Sequence, residues 1–78
     1  MTAVTLYTRA GCHLCDDAKR VIEAAAQQAE FSLEVVDIDA DPELRRRYTD
    51  EAPVIAIDGR KAFKYRVELK ELLRRLKA

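Results

Sequence analysis

What this chain lacks narrows its reading first. No segment approaches the ~20 apolar residues that a helix needs to cross a bilayer, so no membrane partner is expected. Neither sign of charge is in surplus: fourteen Lys and Arg balance fourteen Asp and Glu across 78 residues. A net charge of zero offers no electrostatic argument for a nucleic-acid partner. The start, Met1-Thr2-Ala3-Val4, has neither the basic opening nor the apolar run of a secretory signal, and the expected compartment is cytoplasmic. There is one histidine and there are two cysteines. A mononuclear zinc site asks for four Cys, His or carboxylate ligands, and no second Cys or His pair completes the set, so no metal is expected. No repeat, low-complexity tract or linker interrupts the chain. With 49% hydrophobic residues it reads as one packed domain, 1–78 and monomeric, near the lower size limit for an unstapled core.

What is present centres on Gly11-Cys12-His13-Leu14-Cys15. Upstream, Val4-Thr5-Leu6-Tyr7 reads as a short strand. Downstream, Leu14, Ala18, Val21, Ile22, Ala25 and Ala29 recur on one face of a helix expected from about Cys12 to Glu30. Cys12 therefore falls at a strand-to-helix turn and Cys15 in the first helical turn. The first-turn N–H groups have no intrahelical partner and carry about half a positive charge, which favours a thiolate and makes a cysteine reactive near neutral pH. A second thiol three residues on can attack a mixed disulfide formed by the first. A purely structural bridge across so few residues would close almost no loop and contribute at most about 2 kcal/mol. Asp16 and Asp17 suit the helix end, yet they oppose a thiolate if they lie near Cys12, and the sequence leaves that contest open.

Several neighbours admit two readings. Arg9 is either a solvated arginine or a cation that steadies the Cys12 thiolate or binds an anionic thiol substrate. Gly11 can adopt a backbone conformation other residues resist and leaves room for a partner to approach Cys12. As an imidazolium, His13 would favour the thiolate and make the protein more oxidising; otherwise it is an exposed first-turn residue. Tyr7 and Tyr48 either flank the cysteines or simply pack.

Further along, Phe31 to Ile38 is an apolar-rich strand. Asp41-Pro42 is a helix-start signature with Asp41 as N-cap, opening a short basic helix to about Tyr48. Its Arg45-Arg46-Arg47 run reads as a solvated face, with Glu43 paired to Arg47. Ala52-Pro53 precedes an apolar strand, Asp58-Gly59 is a hairpin turn leading into Arg60–Tyr65, and a last helix spans about Val67 to Lys77. Pairs are expected at four-residue spacing, Asp16 with Arg20 and Glu71 with Arg75. The order is β-α-β-α-β-β-α, and a C-x-x-C near a βαβ unit is a thioredoxin-like redox signature.

With Leu6-Tyr7-Thr8 ahead of Cys12-His13-Leu14-Cys15, Asp37-Ile38-Asp39 ahead of Asp41-Pro42, and Pro53 through Gly59, the sequence resembles the glutaredoxin-like members of the thioredoxin superfamily. The resemblance implies an α/β thioredoxin fold with a mixed four-stranded sheet and three helices. It implies Cys12 as nucleophile, Cys15 as resolving thiol, a cis Ala52-Pro53 bond beside them, and Arg9 where many glutaredoxins keep a basic residue for the glutathione carboxylate. The chain departs from the family in carrying His13-Leu14 for Pro-Tyr and Glu51-Ala52 for Thr-Val. It also has Phe63-Lys64-Tyr65-Arg66 where a Gly-Gly pair approaches glutathione. The expectation is a thiol–disulfide oxidoreductase without a bound cofactor, acting on a protein or small-thiol disulfide, with glutathione or a reductase supplying electrons. The alternative is a non-catalytic adaptor or a metal or iron–sulfur carrier.

Overall fold

A computed structural model describes residues 2–48 and 51–77. The two ends of the expected domain, Met1 and Ala78, lie outside the described residues. Strand β1 (Thr2–Thr8) leads to helix α1 (His13–Ala26), strand β2 (Phe31–Asp37), a 3-10 turn (Ile38–Ala40) and helix α2 (Pro42–Tyr48). Strands β3 (Val54–Ile57) and β4 (Arg60–Lys64) and helix α3 (Leu69–Lys77) complete the expected order. The sheet order is β2-β1-β3-β4; β1 and β2 are parallel, and the β1–β3 and β3–β4 pairs are antiparallel.

Alternation along β1 sets the layers. Val4 and Leu6, each 1% exposed, point to one face, where they meet Ala18, Ile22 and Ala25 of α1 and Leu72 of α3. Full burial of a side chain such as Ile22 or Leu72 is worth about 1.5–3 kcal/mol, so this layer holds α1 and α3 to the sheet. On α3, Leu69, Leu73 and Leu76 pack around buried Leu72, the one face that helical periodicity gives them. Tyr7, on the other face of β1, stacks against Tyr48 of α2 with ring centroids 4.8 Å apart. These rings serve packing between sheet and helix.

The turn chemistry follows the sequence closely. Asp41 Oδ1 accepts from the Glu43 N–H at 2.9 Å, and the Asp41 carbonyl accepts from the Arg45 N–H, so Asp41 caps α2. Asp58 (φ 51°) and Gly59 (φ 83°) turn the β3–β4 hairpin, matching a primed turn with two positive φ angles. Asp58 also ties that hairpin to β1: its N–H donates to the Ala3 carbonyl and its Oδ1 accepts from the Ala3 N–H.

Boundaries shift where end effects decide them. α1 stops at Ala26 rather than Glu30, because Gln27 and Gln28 turn their N–H groups back to Ala24 and Ala25 in three-residue closures. Ile38 leaves β2 for the 3-10 turn, whose start is capped by Asp37 Oδ1 accepting from the Asp39 N–H. Tyr65 lies beyond β4, and α3 starts at Leu69 rather than Val67. The exposed pairs also differ: Arg20 meets Asp17 rather than Asp16, and Arg74 rather than Arg75 meets Glu71. Arg75 instead lies over the Phe63 ring, 5.5 Å from its centroid. Glu43–Arg47 forms as expected, at 3.9 Å. Among the described residues no helix is long and apolar enough to cross a membrane.

Candidate functional site

The site is built at the carboxyl end of β1. Register places Thr8 beside Asp37 and Tyr7 beside Val54, so the loop to α1 and the approach to β3 open at one end of the sheet. Gly11 takes φ +74°, which glycine adopts freely. A Cβ built there would meet nothing within 4 Å, so its contribution is this backbone turn rather than relief of a close approach.

Cys12 is the N-cap of α1, in extended backbone conformation. Its sulfur accepts from the Cys15 backbone N–H at 3.2 Å, a contact that N-caps usually make with an oxygen. Both cysteines are free; Cys12 is half-buried and Cys15 is 3% exposed. Burial pushes the Cys15 thiol up from its ordinary value, reinforced by its hydrogen bond to the Cys12 sulfur and by the charge there. A hydrogen bond from the Thr8 side chain and one from the Arg9 backbone pull the other way. The net direction is upward, which favours the protonated Cys15 thiol.

The remaining expected site residues fall into two groups. The Ala52-Pro53 bond is cis, and Pro53 is buried immediately before Val54. Its carbonyl accepts from the Tyr65 N–H at 2.9 Å, joining the approach to β3 with the exit of β4. Glu51 is tied to β4 by Lys61 at 2.6 Å; that contact holds the Glu51 carboxyl below its usual range and the Lys61 ammonium above its own. Arg9 reaches the Asp39 carboxylate: its Nε and Nη2 lie 3.4 and 3.3 Å from the two Asp39 oxygens. Arg45 reaches the same carboxylate at 3.8 Å. His13 is exposed at the first helical position.

A cleft of about 330 Å³ opens beside the cysteine helix, between Leu14, Asp17 and Ala18 on one side and Tyr65 to Glu68 on the other. Tyr65 holds φ +67°, and the Arg66 N–H donates to the Lys64 carbonyl across it. The sequence carries no glycine or asparagine to signal that turn. Thr8, Asp39 and Tyr65 lie in stretches that motif reading quotes, but their contacts with Cys15, Arg9 and Pro53 are set by the fold and carry no sequence signal. Among the described residues no group of three His, Cys, Asp or Glu side chains is placed to hold a metal ion.

Comparison with known proteins agrees with this architecture. Residues 3–77 match the glutaredoxin-like domain family (DUF836). Over 73 residues the chain is 34% identical to the glutaredoxin-like protein YDR286C homolog of Dictyostelium discoideum, a match covering 83% of this chain and 66% of that protein. It thus spans just under two thirds of that curated relative's length. Among solved structures, protein XcR50 from X. campestris superposes with a TM-score of 0.77 at 33% identity, over 95% of each chain. A mutant thioredoxin from Halobacterium salinarum shares the fold with a TM-score of 0.74 at 17% identity, over 97% of this chain and 72% of that one.

Proposed function

Since this chain belongs to the glutaredoxin-like domain family, we propose that it is a thiol–disulfide oxidoreductase in which Cys12 attacks and Cys15 resolves. The observation that carries this reading is the Cys15 N–H donating to the Cys12 sulfur at the start of α1. Partial positive charge at a helix start suits an attacking thiolate.

In the first step the Cys12 thiolate attacks one sulfur of a substrate disulfide. An S–S bond forms to Cys12, the substrate S–S bond breaks, and the departing thiolate takes up a proton. In the second step Cys15 loses its proton and attacks the Cys12 sulfur, releasing the other substrate thiol. The products are a Cys12–Cys15 disulfide and two substrate thiols, a two-electron exchange that an external thiol or dithiol reverses.

The environment of Cys15 suits this order. Two of the influences that keep its proton on come from Cys12 itself, the hydrogen bond and the charge. Both end once Cys12 is locked in a mixed disulfide. The Thr8 and Arg9 hydrogen bonds remain, and they favour the Cys15 thiolate. Resolution is therefore released by the first step.

The substrate class favoured is a disulfide in a polypeptide. The residues lining the cleft, Tyr65 and Arg66 among them, are bulky where glutaredoxins admit close backbone approach of glutathione. The test is turnover of a glutathionylated peptide and of a protein disulfide, each supplied either with glutathione and its reductase or with a dithiol reductase system. Loss of protein-disulfide turnover in Cys12→Ser supports the reading; a folded, reduced wild type that turns over neither substrate overturns it.

A further inference from the structure

The two sheet edges are unlike. β2 is one edge, paired only to β1, and β4 is the other. Register puts Leu33 beside Val4 and Val35 beside Leu6, so both point to the core face of the sheet. Val4 and Leu6 are covered by α1 and α3, yet Leu33 and Val35 are 40% and 48% exposed. They account for two of the three large exposed hydrophobics among the described residues. The apolar layer thus continues one strand beyond the helices that cover it.

The same edge is acidic. Residues 21–44 contain seven Asp and Glu and no Lys, Arg or His. Of those on or next to β2, Glu30, Glu34 and Asp37 form no ion pair with another described residue. An exposed edge strand offers its outer N–H and C=O groups to an added strand, and edges that avoid this carry Lys, Pro or a bulge. β2 has none of these over seven residues. β4, by contrast, carries Arg60, Lys61 and Lys64 and an irregular register against β3.

We propose that the outer edge of β2 is a docking surface for an extended segment of a partner protein in which apolar and basic residues alternate. Such a strand would place its apolar side chains beside Leu33 and Val35 and a basic one beside Glu34, while its backbone pairs with the open edge. Charge complementarity selects a basic strand over the β2 edge of a second copy. Two β2 edges set against each other would bring acidic strands together. A β2–β4 contact between copies is heterologous, building rings or filaments rather than a closed pair, and the register irregularity of β4 works against it. The carboxyl end of β2 lies beside Thr8 of β1, so a strand seated there would run toward the cysteine end of the sheet.

The experiment titrates isotope-labelled full-length chain with the heptapeptide Thr-Val-Lys-Val-Lys-Val-Thr and, separately, with its counterpart bearing Glu for Lys. The proposal expects amide shifts and slowed exchange confined to β2 with the basic peptide, and binding of the acidic peptide weaker by roughly fivefold or more. Glu34→Lys, at an exposed position, should reverse that preference, and Leu33→Thr with Val35→Thr should weaken both. Equal response to the two peptides by the unaltered chain, or shifts elsewhere than β2, overturns it. Sedimentation showing that the free chain self-associates through β2 also overturns it, by making a second copy the occupant. The peptides contain no cysteine, so the outcome is independent of the thiol chemistry proposed above.

Discussion

Cys15 faces Cys12 with two donors: its backbone N–H, 3.2 Å from the Cys12 sulfur, and its own buried thiol. Cys15 thus supplies the N–H that the capping sulfur of Cys12 accepts and, in the proposed mechanism, the proton released for resolution. That asymmetry separates the two cysteine variants. Cys12→Ser is expected to lower disulfide turnover by at least about three orders of magnitude, since it removes the proposed nucleophile. Cys15→Ser should retain the first step and accumulate a stable mixed disulfide, visible as a mass increment on the intact protein. A Cys15→Ser variant that traps no substrate would remove the resolving assignment.

Thr8→Val removes the side-chain hydrogen bond that favours the Cys15 thiolate. A hydrogen bond of this kind contributes about 1 kcal/mol, so resolution should slow by roughly fivefold and its pH profile should move to higher pH. The formation of the mixed disulfide should be unchanged. Rapid-quench measurement of the two steps checks this, and equal slowing of both would point to a structural defect instead.

The reduced protein should lose stability in alkali through Cys15. Its pKa is raised in the folded state, so its stabilising contribution is complete below the ordinary thiol value, about 8.5. That contribution falls as pH rises toward and through the folded-state value. Thermal melts under reducing conditions should show a steeper alkaline fall for wild type than for Cys15→Ala. Parallel curves would contradict the burial-driven shift.

The Glu51–Lys61 pair should act within a pH window. Glu51 is lowered, so its contribution is present above the ordinary carboxylate range and is lost as pH falls through the lowered value. Lys61 is raised, so its contribution is present below the ordinary ammonium range and is lost as pH rises through the raised value. Lys61→Met should therefore cost stability between those limits and little outside them. High salt should shrink the difference, because the pair is solvent-exposed and screened.

Tyr65 holds a left-handed backbone conformation that carries a cost for a non-glycine residue, on the order of 1 kcal/mol. Tyr65→Gly relieves it and removes a wall of the cleft. The expected result is a melting temperature no lower than wild type, together with a lower KM for glutathionylated peptide. Destabilisation by several kcal/mol would mean that the Tyr65 ring packs more than its 43% exposure indicates.

Whatever depends on a few adjacent residues could be read from the sequence. The strand–turn–helix around Cys12 and Cys15, the Asp41-Pro42 helix start and the Asp58-Gly59 hairpin each rest on local backbone preferences or capping groups that neighbours supply. The leucine stripe of α3 was equally legible, since helical periodicity alone places Leu69, Leu72, Leu73 and Leu76 on one face. Ion pairs were less so: Asp17 and Arg74 were chosen over Asp16 and Arg75 because spacings of three and four residues both suit a helix. Arg75 lies over Phe63, a residue of a different element.

Tertiary structure decided what joins distant segments. Arg9 reaches Asp39 because β1 and β2 end side by side. Thr8 and the Arg9 backbone reach the Cys15 sulfur because the loop folds back over the helix start. Tyr65 takes its left-handed turn where its N–H meets the Pro53 carbonyl. Leu33 and Val35 are as apolar in sequence as any core residue, and only the placement of α1 and α3 leaves them uncovered. Local preference determines which elements form; burial and long-range pairing determine which of their side chains meet.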